Sequence, residues 1–191
     1  MEIKNQLNLT TRQEFREWLS ANASTSKECW LSVNRAKTDQ SGIVWYIDAV
    51  EEALCFGWID STLKTSDGIT IQRFSPRTKQ SNWTELNKER CRRLIKLGLM
   101  TKLGLAILPD LDKQFEILPE IEAALKENPE AWRNFNTFPD LYRRVRIDKI
   151  QNDLQRNRPE CYETKLRKLI EASEKGLMIG DWNDFGRLLD Y

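Results

Sequence analysis

The sequence predicts an α+β fold, with a small antiparallel sheet and packed helices followed by a helical C-terminal region. Three observations predict it: an apolar segment of helical period ends at Gly57, two short alternating segments flank Asp67-Gly68, and helical patterns run from Thr101 onward. An acidic, Pro-containing stretch lies between the two regions. We therefore expect an α+β domain over residues 1–108 and a helical region over 109–191.

The composition is that of a globular protein with enough apolar residues for a core. The chain has 191 residues, of which 40% are hydrophobic and 31% charged, and no run approaches the roughly 18 apolar residues of a membrane span. Its first residues contain no apolar segment of the kind found in export signals. We expect a cytoplasmic protein that does not insert into a membrane.

The histidine and cysteine content restricts the chemistry. The histidine count is zero, which excludes Ser-His-Asp and Cys-His catalysis and every metal site that contains histidine. The four cysteines have no C-x-x-C spacing, which is typical of reduced structural thiols. They are Cys29, Cys55, Cys91 and Cys161. With no phosphate-binding loop or dinucleotide motif, we expect no metal and no cofactor.

Capping signals place the first helices. Thr11-x-x-Glu14 has the capping-box pattern, which predicts a helix from 12 to about 21. After an alternating strand over 29–36, a helical stripe begins near residue 46 and ends at Gly57, which suits a left-handed cap. Glu51 and Glu52 on this helix point in diverging directions. We expect both to be solvated rather than to form a general acid/base pair.

A β-hairpin and a basic helix follow. Segments 58–65 and 69–74 are predicted to pair antiparallel through a tight turn at Asp67-Gly68. Asn82-x-x-Glu85 predicts the start of a helix whose apolar face runs to Gly98. Continuing that face by steps of three and four predicts that Asn87 and Arg90 point inward.

Three blocks of this sequence are distinctive: EEALCFGWIDS, QRFSPRTKQSNWTELNKERCRRLIKLGLM and NPEAWRNFNTFPDLYRRVRIDKI. They resemble the bacteriocin-protection family, also called YdeI/OmpD-associated, and the resemblance extends from about residue 13 to 176. The resemblance implies a small α+β domain followed by a helical C-terminal region, and it implies no reaction. The family usually has a Thr cap where Trp45 stands here, so we expect packing to hold that helix start.

A polar cluster around the hairpin is the candidate ligand-binding site. If the hairpin register brings Asp60 near Arg73, several donors and one carboxylate meet beside indole rings. We expect Arg73 and Arg77 to point towards one polar site shared with Asp60 and Asn87. The alternative is an internal ion pair with both tryptophans in the core. The predicted site residues are Trp58, Asp60, Arg73, Arg77, Trp83, Asn87 and Arg90.

Two further hypotheses concern the same region. An enzyme would use Cys55, Asp60, Arg73 and Arg77, but a cysteine that ends an apolar helix without a histidine base is usually inert, and we assign no catalytic residue.

A basic surface with nearby aromatics suggests single-stranded nucleic-acid binding. It comprises Arg73, Arg77, Lys79, Lys88, Arg92, Arg93 and Lys96. Residues 64–102 have a net charge of +7 in a chain of +1, yet the isoelectric point of about 7.6 is low for a dedicated nucleic-acid binder. A solvated helix face, or contact with the acidic segment 103–138, is the alternative.

These observations favour a binding protein over an enzyme. We expect region 55–93 to recognise an anionic small ligand or a partner protein. Catalysis is the leading alternative and nucleic-acid binding the third.

Overall fold

The computed structural model describes residues 5–36, 42–66, 69–78, 80–189 and 191. The chain divides into two compact units. The first unit comprises residues 1–82 and 90–111, and the second comprises 83–89 and 112–191. The described residues form eight helices and five strands, which confirms the α+β class.

The first unit contains the sheet and the helices that cover it. Residues 85–89 of its basic helix are counted with the second unit. In chain order the elements are β1 (Gln6–Leu7), α1 (Arg12–Asn22), β2 (Cys29–Asn34), β3 (Val44–Trp45), α2 (Tyr46–Cys55), β4 (Trp58–Ser66), β5 (Ile69–Pro76), α3 (Glu85–Lys96) and α4 (Lys102–Leu105).

The sheet is mixed rather than purely antiparallel. Its strand order is β1-β2-β5-β4, with β3 also paired to β2. The three long strands β2, β5 and β4 are antiparallel as predicted, whereas β1 and β3 each run parallel to β2. β1 and β3 are two residues each, and a strand of this length is too short to show alternation in a sequence.

The predicted hairpin is confirmed. Trp58 pairs with Pro76 and Asp60 with Phe74 near the open end, and the pairing continues to Ser66 and Ile69. The predicted turn at Asp67-Gly68 lies outside the described residues. Between Asp60 and Leu63 the register shifts at a β-bulge. The bulge places one extra residue in β4 against β5.

The bulge sets which side chains of β4 lie near β2. Beyond it, Lys64 pairs with Ile71, and Trp30 of β2 pairs with Arg73. Directly paired residues share a face of the sheet, and so do residues two apart on one strand. Lys64 and Trp30 therefore share a face, where the Lys64 ammonium lies 5.1 Å from the centroid of the Trp30 ring.

The observed ends of α1 and α2 agree in part with those predicted from the sequence. The Thr11 hydroxyl accepts from the Glu14 N–H, and the Glu14 carboxylate accepts from the Thr11 N–H, which confirms the capping box. Gly57 has φ of +77°, which confirms the left-handed residue after α2. The start of α2 at Trp45 has no side-chain cap.

The start of α3 differs from the prediction. The helix begins at Glu85 rather than directly after Asn82. The hydroxyl of Thr84 accepts from the Asn87 N–H at 3.2 Å, which is the bond of an N-cap residue. Thr84 directly precedes the helix and takes this role, so the cap lies two positions after the Asn82 that the sequence pattern predicts.

The core of the first unit lies between the sheet and α1 and α2. Phe15 and Leu19 of α1 are fully buried, and the Phe15 ring packs on Phe74 with centroids 5.3 Å apart. Trp18 is half-buried and meets the ring of Trp58 edge-on at 5.8 Å. Each such buried aromatic contributes about 1.5–3 kcal/mol by leaving water.

The expectation that Glu51 and Glu52 are solvated is wrong. Both are buried, with 0% and 1% of their surface exposed. Arg12 contacts both carboxylates, at 2.9 Å from Glu51 and 2.5 Å from Glu52. Arg93 binds Glu51 at 2.8 Å and Arg16 binds Glu52 at 2.6 Å. Arg12 thus bridges the two carboxylates, and Arg93 and Arg16 each bind one of them, which compensates their burial.

The second unit is helical. Its core contains Phe135, Tyr142 and Ile147, and the C-terminal segment contributes Trp182 and Leu188 to the same core. Its helices are α5 (Pro119–Lys126), α6 (Pro129–Thr137), α7 (Asp140–Gln155) and α8 (Pro159–Glu174).

Among the described residues, no helix combines the length and the apolar character that a membrane span requires.

Candidate functional site

A cluster of arginines surrounds a tyrosine–aspartate pair in the first unit. Tyr46 is the first residue of α2, and Asp60 lies on β4. Arg35 directly follows β2, Arg77 directly follows β5, and Arg90 lies on α3. Five different parts of the first unit thus supply one group each, and we call these five residues the arginine cluster.

The Tyr46–Asp60 pair is the centre of the arginine cluster. The Tyr46 hydroxyl donates to Asp60 Oδ2 at 2.7 Å. Burial raises the pKa of Tyr46, and the neighbouring Asp60 carboxylate raises it further, whereas the charges of Arg90 and Arg35 act in the opposite direction. The phenol therefore keeps its proton at neutral pH and acts as a hydrogen-bond donor.

Arg35 covers the pair from the solvent side. Its guanidinium carbon lies 3.9 Å from the centroid of the Tyr46 ring, a cation–π contact. Arg35 Nη1 also lies 3.4 Å from Gln72 Oε1. Because Arg35 is exposed while Tyr46 and Asp60 are half-buried, the cluster is accessible from the side of Arg35.

Arg77 supplies a buried guanidinium to the cluster. It is only 7% exposed, and its Nη1 donates to the carbonyl of Asn82 at 3.0 Å. Burial lowers the pKa of Arg77 to about 10, although Cys91 and Asp60 act to raise it. The guanidinium is charged at neutral pH, and its burial makes an additional negative charge nearby favourable.

Arg90 supplies a second buried guanidinium. It is 6% exposed and close enough to influence the titration of Tyr46. Asn87 on the same helix is 9% exposed, so both residues are buried as the helical periodicity predicts.

The structure brings together part of the predicted set. Asp60, Arg77 and Arg90 belong to the arginine cluster. Trp58 is 1% exposed and its indole N–H donates to the carbonyl of Ala23 at 3.1 Å, so it is a core residue.

Two of the remaining predicted residues are assigned to the other unit. Trp83 and Asn87 are counted with the second unit, whereas Asp60, Arg77 and Arg90 are in the first. We therefore define the candidate site by residues of the first unit alone.

Arg73 does not pair with Asp60. Its Nη2 lies 2.6 Å from Glu28 Oε2, and its Nη1 donates to the hydroxyl of Ser61 at 3.1 Å. The reason is the strand register: Asp60 pairs with Phe74, and neighbouring residues of a strand point to opposite faces. Arg73 therefore lies on the face opposite to Asp60, and the expected common site of Arg73 and Arg77 is not formed.

Cys55 has the properties of a packed thiol. It is fully buried, and burial raises its pKa to about 12, with Glu52 adding to the effect. A thiol with this pKa is almost entirely protonated at neutral pH and is a poor nucleophile. The catalytic alternative thus loses its nucleophile and, with Arg73 elsewhere, its geometry.

The basic residues do not form one exposed stripe. Arg93 binds Glu51 at 2.8 Å and Lys88 binds Glu85 at 2.7 Å. Arg92 donates to the carbonyl of Leu111, Arg77 is buried, and Lys79 lies outside the described residues. Nucleic-acid binding needs cations that are accessible to phosphates, so this arrangement gives that hypothesis little support.

The sequence does not predict Tyr46 or Arg35 as site residues. From the sequence, Tyr46 is only the start of a helix, and Arg35 lies at the end of a strand. A tyrosine hydroxyl at a helix start and an arginine after a strand have no motif of their own, and Tyr46 meets Asp60 only because α2 and β4 pack together.

Two family models match the chain, each over a different part of it. A family model described as "Bacteriocin-protection, YdeI or OmpD-Associated" matches residues 114–176. A model described as a domain of unknown function (DUF8412) matches residues 7–107. No curated protein and no solved structure matches the chain.

Proposed function

Because the chain belongs to the bacteriocin-protection, YdeI or OmpD-associated, family through residues 114–176 and to a domain family of unknown function through residues 7–107, we propose its function from its site. The proposal is a non-catalytic binding protein that recognises a small anion at the arginine cluster. Neither family description contains a reaction.

One observation carries the proposal: three guanidinium groups surround a single tyrosine–aspartate pair. Arg35 stacks on Tyr46, Arg90 acts electrostatically on Tyr46, and Arg77 acts on Asp60. Planar guanidinium groups bind carboxylates and phosphates through two parallel hydrogen bonds. The Tyr46 hydroxyl adds a neutral donor beside them.

The proposal places the protein in the cytoplasm. The four cysteines are free thiols, which supports a reducing compartment. Small phosphorylated and carboxylated metabolites are the anions that such a compartment offers, so a screen should use both classes.

The test measures the melting temperature with increasing pyrophosphate at constant ionic strength. An anion that binds the folded state raises the melting temperature. Arg35→Ala removes an exposed cation of the cluster without disturbing the core, and it should abolish most of the shift. Arg77→Lys should weaken binding because lysine cannot make the two-point contact.

Arg73→Ala is the matched control. It removes the same charge from the opposite face of the hairpin, and the pyrophosphate shift should remain. Equal shifts in wild type, Arg35→Ala and Arg77→Lys, or no shift in the wild type with any anion of either class, would contradict the proposal.

A further inference from the structure

A cavity in the second unit lies beside two helices and the C-terminal segment. Its volume is about 450 Å³, within the roughly 300–1,000 Å³ typical of small-molecule sites. α7 contributes Arg146, Lys149 and Ile150, and α8 contributes Lys165, Lys168 and Leu169. Both helices use positions i, i+3 and i+4, which form one continuous stripe on a helix.

The cavity has an apolar floor. Ile150 and Leu169 are 2% and 1% exposed and belong to the hydrophobic core of the second unit. Ile179 of the C-terminal segment is half-buried and completes the aliphatic wall. These three side chains offer contact to a hydrocarbon or ring, and they accept no hydrogen bonds.

The cavity also has cationic walls. Arg146 Nη2 donates to the carbonyl of Ile179 at 2.7 Å, and Lys149 Nζ donates to the carbonyl of Asp181 at 3.1 Å. Both acceptors are backbone carbonyl groups of the C-terminal segment, and these bonds fix the positions of the two cations beside the cavity. Lys165 pairs with the Asp153 carboxylate, and Lys168 is exposed.

Arg146 is a half-buried cation of the cavity wall. Burial lowers its pKa, and the neighbouring Tyr142 and Asp181 act in the opposite direction without cancelling this effect. Its guanidinium carbon lies 5.6 Å from the centroid of the Tyr142 ring. Tyr142 in turn accepts from the Ile179 N–H at 3.1 Å, which fixes the segment that closes the cavity.

We propose that this cavity binds an organic phosphate, with the phosphate against Arg146, Lys149 and Lys168 and the organic body against Ile150, Leu169 and Ile179. A phosphate monoester carries about −1.5 to −2 charges at neutral pH and three strong acceptor oxygens. That matches several separate cations better than a single carboxylate does. This site is independent of the arginine cluster.

Isothermal titration calorimetry on the full chain tests the proposal with three probes. Hexyl phosphate has both parts, inorganic phosphate lacks the body, and hexanol lacks the charge. Hexyl phosphate should bind at least about tenfold more tightly than either of the others, the scale of one lost charge-assisted contact. Equal binding of hexanol and hexyl phosphate, or no binding of hexyl phosphate, would overturn the inference.

Charge reversal on α8 locates the site. Lys168→Glu should weaken hexyl phosphate binding by about tenfold or more, because it replaces an attraction with a repulsion. Arg167→Glu makes a comparable charge change at the neighbouring exposed position, which does not line the cavity, and should alter binding less than about twofold. Equal losses in both variants would indicate non-specific attraction and overturn the inference. All titrations are made in the Arg35→Ala background, which removes anion binding at the arginine cluster, so that the measured heat reports this cavity.

Discussion

Asp148 of α7 is a half-buried carboxylate whose contribution to stability falls as the pH rises. Its Oδ2 accepts from the Glu85 N–H at 3.2 Å. Burial raises its pKa to about 6 and the Glu85 carboxylate adds to this, whereas the Glu85 N–H, Lys88 and Asn152 oppose it. The folded state therefore holds this proton more tightly than the unfolded chain does. Its favourable contribution is complete below about pH 4 and is lost as the pH rises through about 6.

Asp148→Asn should therefore raise stability above pH 6. The amide keeps an acceptor for the Glu85 N–H but carries no charge, and we expect a gain on the order of 1–2 kcal/mol at pH 7.5 and little gain at pH 4. Urea unfolding at both pH values measures it. Glu163→Gln on the exposed surface of α8 is the control and should change little. A gain of the same size at both pH values would show that the charge of Asp148 is not the cause.

At the scale of the element, α4 depends on Gly104. A Cβ at this position would approach the carbonyl carbon of Cys55 to 2.8 Å and the carbonyl oxygen of Leu54 to 2.9 Å. The backbone at the end of α2 cannot yield as a flexible side chain could. The Thr101 N–H and hydroxyl also bind the Cys55 carbonyl, at 3.1 and 2.7 Å, so α4 is held directly against it.

Gly104→Ala should consequently destabilise the protein by about 1–3 kcal/mol, the usual effect of overpacking. Thermal unfolding measures the change. Gly180→Ala is the control, because nothing lies within 4 Å of a Cβ built there. If the two variants melt together at the wild-type temperature, the close packing of α4 on α2 is not a constraint.

Elements with a local signal could be predicted, and those that depend on distant partners could not. The capping box of α1 and the alternation of β4 and β5 are local patterns, and both are confirmed. The burial of Glu51 depends on Arg12 and Arg93, which lie 39 and 42 residues away. The partner of Arg73 is Glu28, 45 residues away. A single sequence contains no information on such pairs.

At the scale of the whole molecule, the four thiols should differ sharply in reactivity. Cys29, Cys55 and Cys91 are buried and burial raises the pKa of each to about 12, whereas Cys161 is exposed. A disulfide reagent at pH 7.5 should therefore modify one thiol per native chain rapidly and four in denaturant. Cys161→Ser should remove the rapid phase. Rapid reaction of two or more thiols in the native protein would contradict the burial of the other three.

Within the arginine cluster, Asp60 and Arg77 could be predicted from their positions on and after the hairpin, and Arg90 from the helical periodicity that points it inward. The sequence does not predict Tyr46 or Arg35, which reach the site only through the packing of α2 and the end of β2 near β4. A charge pattern identifies which kind of ligand a region suits. Tertiary packing decides which group serves as the neutral donor. The register of the sheet decides on which face each cation lies.

The extra residue of the β4 bulge decides which face the far half of this strand presents. Side chains alternate with a period of two, so strict alternation from Asp60 would place Lys64 on the face of Gln72 and Phe74, which are 1% and 0% exposed. Because two residues of β4 occupy one position opposite β5, Lys64 instead pairs with Ile71 and lies over Trp30. Removing one residue between Asp60 and Leu63 would restore one-to-one pairing and leave Lys64 on this face. The bulge is therefore the place where this strand can lose a residue without turning a charged side chain towards the core.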